Sequence, residues 1–166
     1  YAFGSFEAPP VTWDEECGAG KAYFTYVYSA QVAEIEIDVK TKKLKVLDIY
    51  AVHDIGKAIN KGLLSGQIYG GVVQGLGMAL KENIVIEDGH LITDNFHNYR
   101  IYRANELPRI HDFIIENPDP NTPSGAKGIG EPALEIISPA IANAVYRATG
   151  KRMKRLPMLV EDICKQ

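Results

Sequence analysis

Glu131 closes the stretch SGAKGIGEPA, residues 124–133, in which three glycines and a lysine run directly into a glutamate followed by proline. That glutamate is the best candidate in the chain for chemistry. Gly125, Gly128 and Gly130 allow φ > 0 and close approach of the backbone to a ligand, so several N–H groups can converge on an anion. A glutamate at the rim of such a concavity competes with that anion for the same positive dipole, and local conflict of this kind often accompanies function. The alternative is that Glu131 caps the helical segment after Pro132 and the glycines serve a tight turn. Nothing nucleotide-specific follows, because no GxGxxG follows a strand and no GxxxxGK[ST] loop is present.

A second chemical pattern lies in KGLLSGQIYGGVVQGLGMALKE, residues 61–82, which reads as a helix. Leu64, Ile68, Val72, Leu76 and Ala79 form its buried arc. Gln67, Gly70, Gly71 and Gln74 fall at i, i+3, i+4 and i+7 and make a stripe on another face. Six glycines between positions 62 and 77 each cost about 1 kcal/mol of helix stability relative to alanine. Either another backbone packs closely here, or a ligand lies along the stripe and uses the glutamine amides. His53 and Asp54, in HDIGKAIN (53–60), have no nucleophile near them in sequence and there is no GxSxG elbow, so a hydrolase triad is unsupported. Asp54 and Asn60 read instead as a turn organiser and a helix cap.

The elements that must position these residues follow from periodicity. Residues 22–39 read as a strand that alternates from Val32 to Val39, and 44–51 as its hairpin partner, with Lys opposite Glu. Residues 1–21 read as a looped lead-in. Glu87-Asp88-Gly89 marks a short second hairpin, 109–115 another strand, and 117–123 a proline-stiffened loop delivering the chain to the glycine motif. The last helix is expected to take Ser138 as N-cap and Pro139 as first residue and to stop at Gly150. The sum is an α+β domain: a twisted, mainly antiparallel sheet packed with the glycine-rich helix and a C-terminal helix.

At 166 residues, 46% hydrophobic and 23% charged, the chain has the size and composition of one globular domain. A net charge of −3 gives no electrostatic footprint for nucleic acid, and the one basic cluster, Lys151, Arg152, Lys154 and Arg155, reads as a solvated turn. No apolar run is long enough for a membrane helix and no signal pattern opens the chain, so a cytoplasmic location is the expectation. Cys17 and Cys164 lie near opposite ends without the companions that a zinc site or disulfide framework requires.

Together HDIGKAIN, GQIYGGVVQGLG and GAKGIGEPAL, in that order, resemble the molybdenum hydroxylases, the family of xanthine dehydrogenase and aldehyde oxidase. The resemblance is to the C-terminal part of the molybdopterin-binding catalytic subunit and runs from the hairpin to the closing RLPMLVEDI. It implies that Glu131 is the active-site base and that Gln67 contacts the cofactor, and with the ligand reading of the stripe Gly70, Gly71 and Gln74 are expected to line the same cofactor. It also implies that backbone groups of Lys127, Gly128, Ile129 and Gly130 approach that cofactor.

The metal would be held through the pterin, as molybdopterin itself or its cytosine dinucleotide, and not by protein ligands. The implied reaction is hydroxylation of a purine-like N-heterocycle or an aldehyde with water as the oxygen source. Electrons would leave for iron–sulfur and FAD centres on other domains or subunits, since two distant cysteines cannot hold a [2Fe–2S] cluster. The implied partners are the rest of the molybdopterin-binding subunit, the iron–sulfur and flavin subunits and a small-molecule substrate, in an oligomeric assembly without nucleic acid or membrane. The family's other cofactor loop and substrate clamps have no counterpart here. The whole of 1–166 is therefore expected to be a single half-site domain, a fragment or one piece of a split subunit, inactive alone. The competing expectation is a scaffold domain that keeps the fold without the metal.

Overall fold

The computed structural model describes residues 1–164. Its centre is a long hairpin, β3 (Tyr28–Asp38) with β4 (Lys43–Asp54), preceded by a small hairpin of β1 (Thr12–Asp14) and β2 (Ala19–Lys21). That first hairpin falls inside the expected lead-in loop. It closes because the Asp14 carboxylate accepts the N–H groups of Glu16 and Cys17 while Gly18 takes φ 62°. Residues 22–27, expected as strand, lie outside it; Tyr23 and Tyr26 there meet edge-on, 6.2 Å apart, instead of alternating across a ladder.

β3 and β4 are antiparallel, with a register shift between Glu34 and Ile35, and Lys45 faces Glu36 as expected. The third strand, β7 (Arg109–Ile115), pairs with β4 in parallel, from Asp48 opposite Arg109 to Asp54 opposite Ile115. A parallel pair needs a crossover. The crossover contains α1 (Lys61–Leu80), followed by the short hairpin of β5 (Ile86–Glu87) and β6 (His90–Leu91), whose Asp88 and Gly89 both take positive φ. Pairing is thus mainly antiparallel, with one parallel seam between the central strand β4 and the edge strand β7.

α1 buries Leu64, Ile68, Val72, Leu76 and Ala79 as its spacing requires, and the Asn60 side chain accepts the Leu63 N–H at its start. These side chains join Ile49 and Ala51 of β4 and Ile137, Ile141 and Val145 of α3 (Ile137–Thr149) in one core. Each fully buried aliphatic residue there contributes roughly 1.5–3 kcal/mol. A short α2 (Pro132–Glu135) leads into α3, which ends at Gly150 with φ 73°. α4 (Val160–Ile163) closes the described chain by tucking Ile163 under the core.

Ser138 does not cap α3, which begins one residue earlier at Ile137 and has Ile136 at its cap. The reason is packing. Ile136 stays in the αR region, so α2 runs almost directly into α3, and the Ser138 hydroxyl donates across to the Gly75 carbonyl of α1 at 3.5 Å. Among the described residues no helix is long and apolar enough to cross a membrane.

Candidate functional site

Three stretches distant in sequence meet at the carboxyl ends of the parallel strands β4 and β7. β4 ends at Asp54, and the next two residues join the glycine loop. Gly56 bridges Ala126, the Lys127 N–H donates to the Ile55 carbonyl at 2.9 Å, and the Lys57 N–H donates to the Gly125 carbonyl at 2.9 Å. Gly56 is required at this crossing. It has φ 66°, and a Cβ on it would lie 2.1 Å from the Gly125 oxygen.

The Lys127 ammonium turns inward and pairs with Asp54 Oδ2 at 2.8 Å, with only 5% and 10% of the two side chains exposed. Burial raises the Asp54 pKa, but hydrogen bonds from Lys127 and from the Gly56 N–H outweigh it and hold the carboxyl below the ordinary carboxylate value. Lys127 therefore enters the site differently from the expectation. Its N–H and its ammonium both serve the internal fastening, so neither is offered outward.

The next N–H groups, of Gly128, Ile129, Gly130 and Glu131, have no acceptor among the described residues, and Gly128, Gly130 and Glu131 are exposed. Of the three glycines in the motif only Gly125 takes positive φ, at 74°; Gly128 and Gly130 keep negative φ, with nothing within 4 Å of the Cβ each would carry. Those two leave the backbone open to an approaching group. Glu131 occupies the N-cap position of α2, and its carbonyl accepts the Leu134 N–H at 2.9 Å. Its carboxylate makes no capping hydrogen bond and no ion pair among the described residues. Position alone meets the capping alternative; the side chain stays available.

The glutamine–glycine stripe of α1 divides in two. Gly71, and Gly75 beyond it, give close packing: a Cβ on Gly71 would lie 2.7 Å from Ala133 Cβ, and one on Gly75 would lie 1.8 Å from Ile137 Cγ2. Gly66 and Gly70 meet nothing within 4 Å, and Gln67, Gly70 and Gln74 are exposed, with no side-chain hydrogen bond from either glutamine among the described residues. Packing accounts for one edge of the stripe and leaves the other edge open. Through Gly71 and Ala133 the packed edge lies against α2, the helix capped by Glu131. Gly70 also lines an open groove of about 560 Å³ with Tyr69, Val73, Leu107, Pro108 and Ile110.

Gln31 escaped the sequence reading, and the role of His53 was not legible. Gln31 of β3 donates to the Ala133 carbonyl at 2.8 Å and lies 3.4 Å from His53 Nε2. His53 is wholly buried, its Nδ1 and the Gln31 Oε1 lack partners among the described residues, and burial lowers its pKa below 6.5. A glutamine at the exposed start of an alternating strand carries no signal of such a role. His53 was expected in a polar stretch after the strand's end; β4 instead runs on to Asp54, so that His53 continues the inward face of Ile49 and Ala51.

Exposed amides along α1 and unpaired N–H groups in the loop offer hydrogen-bond donors, and the Glu131 carboxylate stands unpaired at the start of the adjoining helix. Residues 1–108 match the family model of the molybdopterin cofactor-binding domain. The chain belongs to that family. It is 34% identical over 153 residues to the aldehyde oxidoreductase of Megalodesulfovibrio gigas, covering 90% of this chain and 16% of that protein. It is 33% identical to the isoquinoline 1-oxidoreductase subunit beta of Brevundimonas diminuta, covering 84% of this chain and 17% of that subunit. The crystal structure of the aldehyde oxidoreductase from Desulfovibrio desulfuricans superposes with a TM-score of 0.86 at 34% identity, over 94% of this chain and 17% of that one. The chain thus spans about a sixth of the length of these relatives, and its fold is that of molybdenum hydroxylases.

Proposed function

We propose that the chain is one wall of the active site of a molybdenum hydroxylase, with Glu131 as the base. The observation that carries this is the exposed, unpaired Glu131 carboxylate beside four unpaired backbone N–H groups and the open edge of the Gln67–Gln74 stripe. The residues fit the cofactor. Gln67 and Gln74 amides, the surface left open at Gly70, and the N–H groups of Gly128, Ile129 and Gly130 are donors for its oxygens and ring nitrogens. Gly71 sets the distance between this surface and α2, while Lys127 anchors the loop from inside.

When bound, the molybdenum centre supplies the two-electron oxidation, and water the oxygen. Glu131 accepts the proton released as that oxygen adds to an electron-poor carbon, so that R–H and H₂O become R–OH, two protons and two electrons. The substrate class is an aldehyde or an N-heterocycle. The aldehyde oxidoreductase and the isoquinoline oxidoreductase among the relatives favour that pairing, because both names describe a carbon bonded to O or N by a double bond. Iron–sulfur and flavin groups elsewhere in the assembly would remove the electrons. With its donors on open surface, the isolated chain is expected to retain no stoichiometric molybdenum.

Glu131→Gln in the assembled enzyme tests the assignment. The amide keeps the side chain's size but cannot accept the proton, so cofactor content should stay near normal while turnover falls by about 10² to 10⁴. Full turnover in this variant would remove Glu131 from the chemistry.

A further inference from the structure

We propose that His53 and Asp54 form a two-point clamp holding the Glu131 segment from both sides, so that both act as positioning residues that never touch substrate. The proposal rests on the reading of Glu131 as the base. Adjacent residues of a strand point to opposite faces, so one dipeptide at the end of β4 can reach two different parts of a loop. Asp54 reaches forward: its Oδ1 accepts the Gly56 N–H at 3.0 Å and its Oδ2 accepts from the Lys127 ammonium at 2.8 Å, four residues before Glu131. His53 reaches inward, through Gln31, to the Ala133 carbonyl two residues after Glu131.

The hydrogen bonding sets the state of each group. One Gln31 amide hydrogen is given to the Ala133 oxygen, leaving the other for His53 Nε2, which must then be an acceptor. His53 is accordingly neutral with its proton on Nδ1, as its complete burial also favours. On the other side the ammonium of Lys127 also lies 5.7 Å from the centre of the Tyr28 ring. Separating a pair this buried would leave two uncompensated charges, so the loop cannot slide away from Asp54 without that cost. Between the two anchors the chain from Gly128 to Pro132 has few internal bonds, and its position is set by its ends.

The test uses the cofactor-loaded enzyme containing this chain and two variants that avoid stranding a charge: the double variant Asp54→Asn/Lys127→Met, and Gln31→Met. Hydrogen exchange is read at the amides of Lys57 and Lys127 for the first variant and of Leu134 for the second, with Ile49 and Ala51 of β4 as internal reference. We expect these amides to exchange about tenfold or more faster while the reference amides do not change. Turnover should drop by about 10- to 100-fold, the scale of a misplacement near 1 Å. Introduced on top of Glu131→Gln, the same changes should lower turnover no further, because a positioning residue has nothing left to act through. The clamp is overturned if the named amides keep their rates, if exchange rises equally in β4, or if the turnover losses multiply with that of Glu131→Gln. Should Glu131→Gln by itself keep turnover, the base assignment falls and the clamp is judged on exchange alone.

Discussion

Gly75 and Ile137 meet with no room between them: a Cβ at position 75 would lie 1.8 Å from Ile137 Cγ2 and 2.8 Å from the Leu134 oxygen. Five residues back on α1, Gly70 has nothing within 4 Å. The same substitution should therefore act with opposite sign. Gly75→Ala is expected to destabilise by about 1–3 kcal/mol through overpacking, and Gly70→Ala to stabilise by up to about 1 kcal/mol through helix propensity. Urea midpoints of the two variants check this, and a destabilised Gly70→Ala would mean that the open edge is closed in solution.

Removing the Gln67 amide should affect ligand and not fold. Gln67→Ala deletes one exposed neutral donor–acceptor, worth about 0.5–1.5 kcal/mol where it is used. Pterin retained by the assembled enzyme after dialysis should fall by roughly two- to tenfold, with the urea midpoint of the isolated chain unchanged. Unchanged pterin retention would take Gln67 out of the site.

Stability should fall on acidification in two stages. His53 is buried with its pKa below the ordinary 6.5, so the unfolded chain binds its proton first, and stability is full above that value and lost as pH falls through the lowered pKa. Asp54, held low by Lys127 and Gly56 against its burial, contributes stability that is lost only below the ordinary carboxylate value of 3.8. Asp48, held low by hydrogen bonds from Arg109 and His111, acts in the same range. His53→Gln should erase the first stage and leave the second. Denaturation midpoints against pH for both proteins give the comparison.

At Gly56, φ is 66° and the space where a side chain would sit is taken by the Gly125 carbonyl. Gly56→Ala must both strain the backbone and push the glycine loop away, at a cost of roughly 1–3 kcal/mol. Proteolysis near residues 125–130 should quicken before global unfolding is affected. A loop that kept wild-type resistance would contradict the close crossing.

Much of this molecule could be read from spacing. Every buried side chain expected on α1 is buried, β7 has the expected bounds, and Asn60 caps where it should, because each depends on neighbours within a turn or a strand. The parallel pairing of β7 was not legible, since Arg109, His111 and Asp112 break the continuous apolar run that marks a buried parallel strand. Two glycine roles were also superimposed in one stripe, and only the positions of Ala133 and Ile137 separate Gly71 and Gly75 from Gly70. Glu131 stood out because its motif conflicts locally; Gln31 and the Asp54–Lys127 pair did not, because the meaning of each lies in a residue far along the chain.

Those distances have a kinetic consequence. The Asp54–Lys127 bond joins residues 73 apart in sequence and the Gln31–Ala133 bond residues 102 apart, whereas the β3–β4 hairpin is closed by a turn of a few residues. Closing long loops is slower and entropically dearer than closing short ones. We expect the hairpin to exist early, α1 to dock onto it, and the loop bearing Glu131 to settle among the last events. If that loop binds the cofactor as proposed, cofactor arriving before that point would find a sheet and a helix but no place to bind.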